Sequence, residues 1–91
     1  MVMAYRAPEK VSGGFGRWLD NMLFACNKSA REVAEALRIS ANTVRYHRRG
    51  TLRPTFPDVV AYCWYFTTQC VPNVGHPHKV WEVVQKDIGG N

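Results

Sequence analysis

Between Cys26 and Pro57 the chain signals a helix start three times and leaves almost no room between helices. Ser29-Ala30-Arg31-Glu32 has the S-x-x-E form, in which a serine and a glutamate side chain each satisfy an orphan backbone N–H. Ser40 and Thr55 are good N-cap residues, and Gly50 is placed to end the helix that Ser40 begins. The apolar positions follow the same division. Ala30, Val33, Ala34 and Leu37 line one face of a helix opening at Ser29. The pattern breaks at Arg38-Ile39-Ser40. A polar helix from Ala41 to Arg49 then shows only Ala41, Val44 and the stem of Arg48 to a core.

On either side the spacing predicts longer helices. Phe15, Trp18, Leu19, Met22, Leu23 and Cys26 form one continuous helical stripe, which reads as core. A fourth helix, capped by Thr55 with Pro57 and Asp58 in its first turn, is apolar nearly all round through Val59, Val60, Tyr62, Cys63, Trp64 and Phe66. That implies complete burial or cover by another subunit. Pro77 to Ile88 reads as a fifth helix, with Val80, Trp81, Val84 and Ile88 on its buried side. Pro8 and Gly13-Gly14 read as breakers, making residues 1–14 an irregular lead-in and 15–91 a single all-α domain of about five helices.

The charge is concentrated in the short helices. The formal net charge is +5. Lys28, Arg31, Arg38, Arg45, Arg48, Arg49 and Arg53 face only Glu32 and Glu35 in that 26-residue stretch, and the rest of the chain balances. Six of these seven cations are arginine, whose planar fork pairs bidentately with phosphate and with guanine. Nucleic acid is the partner this asymmetry favours, although an anionic membrane surface would also attract it. Arg31 and Arg38 each lie one turn from Glu35 and can pair with it instead.

Several function classes find no support. No apolar run is long enough to span a membrane, and residues 1–14 lack the apolar core of a secretory signal. An odd count of three cysteines, Cys26, Cys63 and Cys70, argues for a reducing, cytoplasmic setting rather than a disulfide framework. Cys26 and Cys63 read as small core residues. His76-x-His78 has no metal-site spacing, and His47 is expected to be packed or hydrogen-bonded rather than a ligand. Gly13-Gly14-Phe15-Gly16 follows no strand and is no phosphate loop. No nucleophile, base and orienting group can be proposed together, so an enzyme is not expected, nor a cofactor, metal or small-molecule ligand.

Two short helices joined by a tight turn and followed by a basic loop make a helix-turn-helix unit. Ser29 to Phe66 resembles the Xre/Cro-type helix-turn-helix domain of phage repressors and bacterial regulators over 38 of the 91 residues. The likeness is carried by Val33, Ala34 and Leu37, by Ile39 and Ser40 in the turn, by Thr43 and Val44, and by Gly50 and Pro54 before an apolar helix. The chain departs from the family pattern at Arg38, where a turn glycine is usual, at His47, where an apolar residue is usual, and at Ala30, where glutamine is frequent.

The resemblance implies a lambda-repressor-like fold and a sequence-specific regulator of double-stranded DNA, a repressor of phage or bacterial type in the host cytoplasm. By position it places Ala41, Asn42, Arg45 and Tyr46 at base edges. Arg45 suits guanine, Asn42 adenine and Ala41 a thymine methyl. Lys28, Ser29, Arg48, Arg49, Thr51 and Arg53 are then the candidate phosphate contacts. Such proteins usually bind as dimers, and Trp64, Tyr65, Phe66 and Trp81 are the candidate interface, with plain core packing as the alternative. Two other functions fit the same residues. One is a phage-encoded inhibitor that turns this surface on a host protein. The other is a DNA-binding accessory of a recombination or packaging complex.

Overall fold

Helix ends, more than helix interiors, shape this molecule. The structure, a computed structural model, describes residues 13–89, and these form five helices with no strand among them. They are α1 (Gly13–Cys26), α2 (Ala30–Leu37), α3 (Ala41–Arg49), α4 (Phe56–Thr68) and α5 (Pro77–Gly89). The expected lead-in falls outside the described residues for positions 1–12, and so does the expectation for the Ile88 side chain. No described helix is long and apolar enough to cross a membrane.

The three predicted caps form. Ser29 accepts from the Glu32 backbone N–H while the Glu32 carboxylate accepts from the Ser29 N–H, and Thr55 with Asp58 repeats the arrangement at α4. Ser40 accepts from the Asn42 N–H at 3.1 Å. At the other ends, α1 to α4 all close through paired backbone bonds that reach back three and five residues. At α1 these run from Asn27 to Phe24 and from Lys28 to Leu23, and at α2 from Arg38 to Glu35 and from Ile39 to Ala34. Gly50 and Thr51 close α3 on His47 and Tyr46, as Cys70 and Val71 close α4 on Thr67 and Phe66. Each motif needs one residue in the left-handed region, and only α3 has a glycine there, Gly50 at φ 80°. Asn27, Arg38 and Cys70 hold φ between 54° and 60° with a side chain attached. Arg38, in the turn between α2 and α3, therefore takes the left-handed conformation without a glycine and bears its strain.

Gly13 and Gly14 are a correction to the sequence reading. They lie inside α1 instead of breaking it. The reason is on the far helix: the Asp87 carboxylate accepts from the N–H groups of Gly14 and Phe15 at 2.7 and 3.0 Å, capping α1 from α5. A side chain at position 14 would put its Cβ 2.7 Å from Val83 Cγ1. The glycine allows the close approach on which the cap depends.

The core lies where these helices converge. Phe15, Leu19, Met22 and Leu23 from α1 meet Ala30, Val33 and Ala34 from α2. Val44 from α3, then Val59, Tyr62, Cys63, Tyr65 and Phe66 from α4, Val71 and Val74 from the α4–α5 loop, and Val80 and Val84 from α5 complete it. Burying a side chain of Val, Leu or Phe size contributes about 1.5–3 kcal/mol, so this set has to offset most of the chain's ordering entropy. Trp18, half-buried, donates its indole N–H to the Val74 carbonyl at 3.1 Å and ties the α4–α5 loop to α1.

The expected cover for α4 resolves into two faces. Tyr65 and Phe66 are buried in the protein's own core, Phe66 completely, so both are withdrawn from the candidate dimer interface. Trp64 points the other way and is 63% exposed, with Val60 one turn before it also exposed. Trp81 is half-buried against Phe56, with ring centroids 5.7 Å apart. Cys63 is buried, and desolvation pushes its thiol up to about 11. Cys26 sits half-buried at the edge of the core, and Cys70 is exposed.

Candidate nucleic-acid interface

The helix expected to read DNA has little apolar side chain with which to be held. Val44 is its one fully buried apolar residue. Two polar side chains, His47 and Arg48, do the remaining work at 2% and 4% exposure. His47 Nδ1 lies 2.7 Å from the Tyr62 hydroxyl on α4, and its ring meets those of Phe15 and Tyr62 edge-on. The Asp58 carboxylate stands 4.0 Å from Nε2. It favours the proton on Nε2, leaving Nδ1 to accept from the Tyr62 O–H. Burial holds the His47 pKa below the usual histidine range, with Asp58 opposing in part. Burial likewise drives the Tyr62 phenol well above its usual range. The ring bridges α3 to α4 and α1, packed and hydrogen-bonded as expected.

Arg48 reaches past the core to α1. Its Nη2 donates to Asp20 Oδ1 at 2.8 Å, and the Arg48 side chain is 5% exposed against 23% for that of Asp20. Arg48 is therefore withdrawn from the candidate phosphate contacts: its side chain is buried on the inner side and its Nη2 is paired with a carboxylate. Ser29 is withdrawn for a similar reason. Its hydroxyl accepts from the Glu32 N–H and donates to Glu32 Oε1, so the α2 cap already occupies it. Lys28 is half-buried and shares Glu32 at 3.9 Å, and Arg31 pairs with Glu35 at 3.8 Å in full solvent.

What remains faces outward together. Asn42 and Tyr46 are exposed, and Ala41 and Arg45 are half-buried at the surface. The Arg45 guanidinium donates to Asn42 Oδ1 at 3.2 Å, so each holds the other's orientation. Arg49 lies over the Tyr46 ring, 5.8 Å from its centroid. Thr51 and Arg53 continue this surface along the loop, both exposed. The Thr51 hydroxyl reaches the Tyr46 carbonyl at 3.4 Å. α3 thus presents an amide, two guanidiniums and a phenol from one rigid turn to the next, a set that can pair with base edges and anionic oxygens.

Three relationships that support this surface were invisible to sequence reasoning: Asp20 to Arg48, Tyr62 to His47, and Arg53 over the Trp81 ring at 5.4 Å. Each joins residues far apart in the chain, and no local pattern announces them. No family model matches this chain, and no curated protein or solved structure matches it.

Proposed function

We propose that this protein is a sequence-specific regulator of double-stranded DNA, with α2 and α3 as its helix-turn-helix and α3 entering the major groove. One observation carries the reading. α3 is fixed from beneath by Val44, His47 and Arg48, while Asn42, Arg45, Tyr46 and Arg49 stand outward on its other side. A helix gains little stability from that outer face, and its chemistry suits base edges and phosphates. The proposed fold is lambda-repressor-like, and Arg49, Thr51 and Arg53 would position the duplex backbone. Occlusion of promoter DNA in the cytoplasm of a bacterial host is the action this reading entails.

A homodimer on a two-fold site fits this reading. Trp64, with Val60 beside it, is the surface to test for it now that Tyr65 and Phe66 belong to the core. The exposed Leu52 and Tyr46 favour a second reading, in which the same face grips a protein. Titration of a labelled duplex at rising salt separates the two. DNA binding predicts affinity that falls linearly with salt on logarithmic axes, with a slope set by the phosphates contacted. Failure to bind duplex at low salt would transfer the face to a protein partner.

A further inference from the structure

Beyond α3, the loop carrying Arg53 runs into a cluster of rings. The His78 ring stacks with Phe56, with centroids 5.3 Å apart, and with His76 at 5.2 Å. Phe56 meets Trp81 edge-on, and the Arg53 guanidinium lies over the Trp81 indole. Sequence reading set His76 and His78 aside because they lack a metal-site spacing. The fold gives them another context: Arg53 and Phe56 meet residues 22 to 28 positions further along the chain in a stack continuous with the basic loop. Arg53, His76, His78 and Lys79 are all exposed here.

We propose that this stack is a second backbone contact for duplex DNA, in which His78 takes up a proton as it meets a phosphate. The proposal rests on the DNA-binding reading above. Stacked rings hold an imidazole and a guanidinium with little conformational freedom to lose, and their polar edges remain at the surface. Histidine is the side chain whose charge changes between about pH 5 and 8, so phosphate binding there draws in a proton. Of the two imidazoles, His78 is the one that gains it. His76 Nδ1 already accepts the backbone N–H of His78 at 3.1 Å, a bond that protonation would break. The charged neighbours are Arg53 from the α3–α4 loop, Lys79 beside His78, and Glu82 one turn further along α5. Asp58 on α4 faces Thr55 and His47 instead.

The test is duplex binding by fluorescence anisotropy at pH 8.0 and 6.0 and constant ionic strength, for the native protein, His78→Gln and His78→Arg. Thermal unfolding at pH 8.0 confirms that each variant is folded. The native protein should bind about three- to tenfold more tightly at pH 6.0, with a salt slope steeper by about one. His78→Gln should bind alike at pH 8.0 and 6.0, without the gain, while His78→Arg should bind more tightly than His78→Gln at both pH values. A gain that survives in His78→Gln, or a flat profile in the native protein, overturns the proposal and leaves DNA binding intact. No duplex binding at either pH overturns both.

Discussion

Arg48 on α3 and Asp20 on α1 stand 28 positions apart in sequence and meet at 2.8 Å, with the guanidinium almost wholly out of solvent. This pair fixes the inner side of the proposed reading helix against the longest amphipathic helix of the core.

Asp20→Ala should therefore destabilise the fold more than a surface ion pair would. A fully buried pair broken on one side costs about 3–5 kcal/mol. With part of the Asp20 carboxylate in water, about 2–3 kcal/mol is expected by urea denaturation. Arg48→Met combined with Asp20→Leu should recover most of it, because two apolar groups leave no buried charge. A folded Arg48→Met protein should also bind duplex as tightly as the native one, since Arg48 is not a phosphate contact.

His47 predicts how stability changes with acid. Its folded pKa is depressed, so below about pH 6.5 the unfolded chain holds a proton that the native chain refuses. Its contribution is complete above that pH and is lost as pH falls. Stability should drop by up to about 1 kcal/mol between pH 7 and 5.5. His47→Phe with Tyr62→Phe, which removes both hydrogen-bonding partners, should flatten that drop in denaturation curves taken across the range. Tyr62→Phe alone leaves Nδ1 without its donor and should cost about 1–3 kcal/mol.

Arg38 at φ 59° and Gly50 at φ 80° occupy equivalent positions at the ends of α2 and α3. Arg38→Gly should raise stability by about 0.5–1 kcal/mol as the left-handed strain is relieved, less the added freedom of the unfolded chain. Gly50→Ala should lower it by about 1–2 kcal/mol. Opposite shifts in the thermal midpoint would show both effects.

Gly14→Ala tests the junction of α1 and α5. Helix propensity alone favours alanine by about 1 kcal/mol. The new Cβ would sit 2.7 Å from Val83 Cγ1 and 3.2 Å from Asp87 Oδ1. Overpacking of about 1–3 kcal/mol should win, so the variant should melt lower than the native protein.

How much of this was readable in advance follows from the range over which each determinant acts. The caps at Ser29, Ser40 and Thr55 lie within three residues of what they satisfy, and the boundaries they predict are the ones observed. The start of α1 was misplaced because its cap, Asp87, is 73 residues from Gly14. Arg48 read as a phosphate contact because its polarity is local and its partner is not. For α4, a helix apolar nearly all round carries no phase, so nothing in its pattern could separate buried Tyr65 and Phe66 from exposed Trp64. The outward set on α3 was legible as a polar surplus that no core could use.

That surplus leads to the most direct measurement: selection of bound sequences from a randomised duplex pool, by the native protein and by Arg45→Ala. The account predicts an enriched motif with the native protein, and relaxed preference at one position with Arg45→Ala, a loss of about 1–3 kcal/mol of discrimination. A pool that emerges without any enriched motif would contradict it.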